Sequence, residues 1–234
     1  MNNDPFLEHL DNIHLMYYKS KIYLAESHLM TRPKSYHDKL GLDLNANYDL
    51  DILFFIIKKS LGYNQLGNRS WMLYVIEITK ILSSSKVDKF SIMKLYNKLN
   101  DKEYKNSYNL QCFDEIKAII DDKNKESVLD KLKVLRDQFY AHSDEDFNKI
   151  TNELFPTYDE IWDLMEIVEK FLRAIYSQDN VEPMFSVDHI INRYILEFKR
   201  IYHYYQVTED FGELYSLYKN FSKDRIEIFR TKKL

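Results

Sequence analysis

Only four glycines (41, 62, 67 and 212) and four prolines interrupt 234 residues, and between them apolar side chains recur at helical spacing. A chain so poor in turn residues cannot supply the many tight turns of a β-sandwich, nor the glycine-dependent phosphate loops of a doubly wound sheet. In the stretch 6–30 the positions Leu7, Leu10, Ile13, Tyr17 and Leu24 follow one another at intervals of three, three, four and seven, and Pro33 ends the run. Near the other end, Ile161, Leu164, Val168, Phe171, Leu172 and Ile175 form a second stripe, with Pro156 close to its start. With 45% apolar and 30% charged residues the chain is neither disordered nor low in complexity. At this length about 70% of the unfolded surface is expected to be buried on folding.

The same reading along the chain predicts seven or eight helices and no strands. A polar linker passes through Gly41, Asn45 and Asn47. The apolar run 50–61 is expected inside the bundle, and Gly62 and Gly67 then leave two readings open, one kinked helix or two, before the stripe resumes at Trp71. Ser83-Ser84-Ser85 reads as a loop, 92–99 as a short helix, and 102–107 as a polar loop. Apolar periodicity returns over 110–120 and continues from Val128 to Phe139, before a solvated break at Ser143-Asp144-Glu145-Asp146. After Pro183, helices are expected over 187–205 and around 212–229. The expected organisation is an N-terminal helix and linker (1–45), a central helical bundle (46–180), and a C-terminal helical extension packed on it (181–234).

Charge and cysteine content narrow the function. The net charge is −4, which is not the footprint of a protein that coats duplex DNA, although a local basic groove is compatible with it. Cys112 is the single cysteine, so no internal disulfide forms. The start, Met1-Asn2-Asn3-Asp4-Pro5, lacks the basic and apolar regions of a signal peptide, and the longest stretch without a polar side chain, 52–57, is far below the ~20 residues of a membrane span. A cytoplasmic protein with no membrane partner is expected. His9 and His14 are five apart, about 500° of helical rotation, so they do not form a metal pair. Asp49 with Asp51, and Asp121 with Asp122, read as acids at helix starts and turns. No metal site and no cofactor are expected.

One segment carries chemistry: Leu135-Arg136-Asp137-Gln138-Phe139-Tyr140-Ala141-His142-Ser143-Asp144. It ends an amphipathic helix and gathers a permanent cation, a carboxylate and an imidazole within seven positions. Spacing alone is weak support. Eight Arg and seven His in this chain give about 0.7 such pairs by chance, and Arg32-Pro33-Lys34-Ser35-Tyr36-His37 is a second match, a decoy that runs through a proline. The bland reading makes Arg136 a cation at a helix C-terminus, favoured by ~0.3–1 kcal/mol, and His142 a solvated loop residue.

Context separates the two matches. Arg136-Asp137, followed by Ala141-His142, resembles the Arg-x(4–6)-His motif of the HEPN superfamily of helical nucleases. With Ser143-Asp144 after it, and with Glu77-Ile78-Thr79-Lys80-Ile81-Leu82 and Ser91-Ile92-Met93-Lys94-Leu95 upstream, it is similar to the abortive-infection branch of AbiU type. Gln138 departs from the lysine of that pattern. The resemblance covers 50–176 and implies an all-α, HEPN-like bundle with extra N- and C-terminal helices. It further implies a homodimeric, metal-independent endoribonuclease of phage-defence or toxin type, with RNA as substrate and a separate antitoxin or regulator chain as a compatible partner. In that chemistry the ribose 2′-hydroxyl attacks the adjacent phosphate. His142 would transfer the proton, Arg136 would hold the phosphate, and Asp137 would orient one of them. Six positions on an ideal helix separate Arg136 and His142 by about 120°. Either the helix ends near Tyr140 and His142 folds back, or a two-fold partner supplies the complementary residue. The competing class is a non-catalytic HEPN-like module that binds RNA, nucleotide or a protein partner without cutting, and the third is a plain helical scaffold whose motif is coincidental.

Overall fold

The computed structural model describes residues 5–40, 50–100, 111–140, 155–176 and 185–207. Among the described residues there are nine α-helices and no strand. The helices are α1 (Pro5–Thr31), α2 (Pro33–Leu40), α3 (Leu50–Lys59), α4 (Leu61–Ile81), α5 (Ile92–Leu99), α6 (Gln111–Asp121), α7 (Val128–Leu135), α8 (Tyr158–Tyr176) and α9 (Asp188–Val207). A π-helical turn, Arg136–Tyr140, continues α7. The helical class is therefore as expected, with more elements than the seven or eight read from periodicity. The linker at Gly41, Asn45 and Asn47, the loop 102–107, the break at 143–146, the linker at Pro183 and the helix at 212–229 lie outside the described residues.

Two of the helix boundaries have local causes. Pro33 stops α1 as expected, but it also opens α2, where its missing N–H and fixed φ cost nothing. The break after α3 falls at Ser60 rather than at either glycine. Ser60 is the N-cap of α4 and its side chain accepts from the Tyr63 N–H, a contribution of about 1 kcal/mol. Ser91 and Ser127 cap α5 and α7 in the same way. At the start of α8, Thr157 and Glu160 form a reciprocal capping box: Glu160 accepts the Thr157 N–H at 2.7 Å and Thr157 Oγ1 accepts the Glu160 N–H at 3.3 Å. Those Thr157 hydrogen bonds hold the Glu160 carboxyl below its usual range.

α1 runs through the molecule and packs along α4. Its first half, with Phe6, Leu10, Ile13 and Tyr17, joins α4 to α8 in the larger core. Its second half, with Ala25, Leu29 and Met30, joins Tyr36, Ile57 and the α9 residues Ile191, Ile195 and Phe198 in a smaller one. Two expectations fail at the edges of these cores. Leu7, read as part of the α1 stripe, is exposed, and Phe6 is buried in its place, because spacings of four, three and four from Phe6 track the buried face better. Leu61 was expected inside the bundle and is 72% exposed, since it opens α4 beyond the Ser60 break.

Buried polar groups tie the helices together. Glu26 on α1 accepts from Ser70 on α4 at 2.8 Å and from the Tyr194 hydroxyl on α9 at 2.6 Å. On the other face of α1, Glu169 of α8 receives hydrogen bonds from Tyr17, Lys21 and Arg173. Burial alone would raise the Glu169 carboxyl, but these donors outweigh it and hold it below its usual value. His28, fully buried, stacks on Tyr158 at 3.9 Å and accepts the Trp162 indole N–H at Nδ1.

Gly67 sets the α1–α4 distance. A Cβ added there would lie 2.9 Å from Met30 Cβ and 3.1 Å from Thr31 Cγ2, so only glycine allows this approach. Gly67→Ala is expected to destabilise the fold by about 1–3 kcal/mol through overpacking, despite the better helix propensity of alanine. Gly62→Ala, whose Cβ would meet only Ser60 Oγ at 3.7 Å, is expected to cost nothing. Thermal unfolding of the two variants side by side checks this, with the Gly67 variant melting several degrees lower.

Candidate functional site

The segment that carries chemistry begins where α7 ends. Leu129, Leu132 and Leu135 are buried in the larger core and fix the rotation of α7. Arg136 keeps helical geometry, φ −59° and ψ −53°, and the chain then widens into the π turn Arg136–Tyr140. Such turns are rare and are frequently found at functional sites. Here the turn is fastened by a tertiary contact: the Trp71 indole N–H of α4 donates to the Tyr140 hydroxyl at 2.7 Å. Burial pushes the Tyr140 phenol up to about 12, against the lowering effect of the Trp71 bond. Tyr140 is thus a neutral structural anchor at physiological pH rather than a proton carrier.

Arg136 and Asp137 are brought together. Arg136 Nε donates to Asp137 Oδ1 at 2.6 Å, with the two side chains 26% and 59% exposed. A pair this open to solvent adds at most about 1 kcal/mol of stability. Its geometric effect is larger. The carboxylate engages only the Nε edge, which leaves the terminal amino groups of the guanidinium without a hydrogen bond among the described residues. Those two groups are the fork that suits a phosphate. His142, with Ala141, Ser143 and Asp144, lies outside the described residues, as does the Phe139 side chain.

Trp71 also marks where the chain returns. Its ring lies 6.3 Å from that of Phe155 and meets that of Tyr158, at the start of α8, edge-on at 6.1 Å. Tyr140 and Phe155, the described residues on either side of 141–154, therefore converge on one indole.

The other candidates have ordinary roles. In the decoy, Arg32 is exposed between α1 and α2, its N–H bonded to the His28 carbonyl at 2.8 Å; the His37 side chain lies outside the description. His9 is buried and donates from Nε2 to the Ser91 carbonyl at 3.2 Å, and His14 packs against Tyr176 and Phe185. Asp122 accepts the Asn124 N–H in the turn after α6. Asp49 and the side chains of Asp51 and Cys112 lie outside the described residues. No group of three or more His, Cys, Asp or Glu side chains able to hold a metal ion occurs among the described residues. No described helix is long and apolar enough to cross a membrane.

Sequence reasoning missed Trp71 as the anchor of the motif, because a contact between positions 71 and 140 has no local signature. It also passed over a group of lysines around α5, whose signal was present. From 86 to 98 four lysines (86, 89, 94 and 98) face a single carboxylate, Asp88.

Comparison with known proteins returns one family. The family model AbiU2, of the HEPN type, matches residues 59–201, more than half of the chain, from the end of α3 through most of α9. The Arg136–Tyr140 turn and its Trp71 anchor both fall within it. The match starts later than the resemblance read over 50–176 and adds α9. Neither the curated proteins nor the solved structures contain a match. With an all-helical fold and a family match of this extent, the chain belongs to the AbiU2 family of HEPN proteins.

Proposed function

We propose that this protein is a metal-independent endoribonuclease of the phage-defence or toxin type, acting on RNA in the cytoplasm. The name of its family supports an abortive-infection role. The observation that carries the proposal is the arrangement of Arg136: steered from one edge by Asp137, its outer fork without a hydrogen bond among the described residues, on a π turn pinned to α4 that ends two positions before His142. RNA contains its own nucleophile, so the enzyme needs an imidazole to move the 2′-hydroxyl proton and a fixed cation on the phosphorane-like transition state. His142 takes the first task and Arg136 the second, with Asp137 positioning the guanidinium.

The site is composite in this reading, with two copies of the motif facing one groove of a homodimer. Phe155 remains 38% exposed beside Trp71, an apolar surface next to the motif that a two-fold partner would cover. Pairing also concentrates two Arg136 side chains in a chain of net charge −4. A separate regulator or antitoxin chain would act by covering that groove.

The test is incubation of structured cellular RNA with the purified protein in EDTA, followed by analysis of the new ends. Cleavage leaving 2′,3′-cyclic phosphates is expected. Intact RNA over protein shown to be folded and dimeric would shift the reading to a non-catalytic binding module.

A further inference from the structure

A cleft of about 440 Å³ opens where the start of α1 meets α5, lined among others by Pro5, Glu8, His9, Lys89, Phe90, Lys94 and Lys98. It shares no residue with the Arg136–Tyr140 turn. Its volume is that of a small-ligand site. What distinguishes it is its charge. Three ammonium groups border it, and no carboxylate among the described residues lies within ion-pairing distance of any of them. Two are held in place by backbone carbonyls instead: Lys94 Nζ donates to the Lys86 carbonyl at 2.9 Å and Lys98 Nζ to that of Pro5 at 2.8 Å. Each is thereby positioned without being neutralised. The third, Lys89, sits 4.8 Å from the centre of the Phe90 ring, an arrangement that keeps its charge at the rim.

The field of these lysines reaches the floor of the cleft. His9 is held below its ordinary value chiefly by burial; its hydrogen bond to the Ser91 carbonyl opposes this, the charges of Lys98 and Lys94 add to the lowering, and Glu8 opposes it least. The N-terminus of the 27-residue α1 also opens here, and its dipole adds positive potential. Phe90, packed edge-on against His9 at 5.3 Å, provides one apolar wall among these donors. Several cations around an aromatic wall suit a ligand that is anionic at several oxygens and flat elsewhere.

We propose that this cleft binds the phosphates of a nucleotide, either free or as a unit of an RNA strand. Lys94 and Lys98 hold the phosphate oxygens, Lys89 closes over them from the rim, and Phe90 lies beside the sugar or base. The site does not depend on the ribonuclease reading, since none of its residues takes part in that chemistry.

The experiment measures binding of two probes to the full chain at 50 mM salt: ATP, and a fluorescein-labelled decanucleotide whose riboses are all 2′-O-methyl, so that it cannot be cut by 2′-hydroxyl attack. Lys94→Gln/Lys98→Gln is compared with Lys123→Gln/Lys125→Gln, an exposed pair in the turn after α6 that removes the same charge elsewhere. Lys89→Gln, which loses no hydrogen bond among the described residues, serves as a variant whose folding is not in question. The expected result is at least a tenfold loss of affinity in the cleft pair, a smaller loss at Lys89, and no more than a twofold change in the control. For the oligonucleotide, the slope of log K against log salt should become shallower by about 1.4, the value for two single-strand phosphate contacts. Tighter binding of ATP would make the ligand a free nucleotide, and tighter binding of the oligonucleotide would make it a strand. Failure of the unsubstituted protein to bind either probe, or equal losses in the cleft and control pairs, would overturn the proposal. Loss of RNA cleavage with this binding intact would leave the cleft standing and remove only the ribonuclease reading.

Discussion

His142→Ala is expected to reduce RNA cleavage in EDTA by about 10²–10⁴, the usual contribution of a positioned general acid or base. That range corresponds to roughly 3–5 kcal/mol of transition-state stabilisation. Alanine removes the only group in the motif that both takes and gives a proton near neutral pH. Read as a residue beside the solvated break at 143–146, His142 is expected to contribute little to stability, so the melting temperature should stay within about a degree of the unsubstituted protein. The two readouts belong together. Lost cleavage with an unchanged melting curve assigns the chemistry to His142, whereas equal cleavage by both proteins would place the active groups elsewhere and undo the assignment.

Arg136→Lys carries the second large effect and separates two roles that a deletion would confuse. At the end of α7 a lysine opposes the helix dipole about as well as an arginine does. A merely capping Arg136 would therefore accept the change with no loss of stability and no consequence for RNA. As the phosphate-binding group it would not. Lysine has no planar fork, and it cannot give one edge to Asp137 while turning two parallel donors outward. Cleavage is expected to fall by about 10²–10³, the range seen when one donor to a developing charge is removed. The fall should appear in kcat, with KM for RNA little changed, because the net charge is the same. A KM effect alone would mean that Arg136 attracts RNA without acting in the transition state.

Much of the architecture was legible because it rests on local periodicity. All six residues of the Ile161–Ile175 stripe are buried, and Pro33 ends α1 where its chemistry requires. The break at Ser60 was locally visible too, as was the capping box Thr157-x-x-Glu160, but glycine drew attention away from the first and proline from the second. What periodicity cannot show is a contact between distant positions. Gly67 looks like a helix breaker in sequence and is a spacer against Met30, 37 positions earlier in the chain. The π turn has no glycine or proline to announce it, and it is fastened by Trp71 from 69 positions away. The pairing of Arg136 with Asp137 could be anticipated from adjacency, though not the choice of Nε as the bonded atom. The lysine cleft needed α1 and α5 side by side, which joins Pro5 to Lys98 across 93 positions.

The Trp71–Tyr140 bond has a practical consequence. The chain contains two tryptophans. Trp162 is bonded to His28 in the core, whereas Trp71 touches both Tyr140, the last residue of the π turn, and Phe155. With Trp162 replaced by Phe, a single intrinsic fluorophore would sit against the motif. Its emission wavelength would register the wetting or shielding of that segment as RNA or a partner arrived, in real time and without any attached dye.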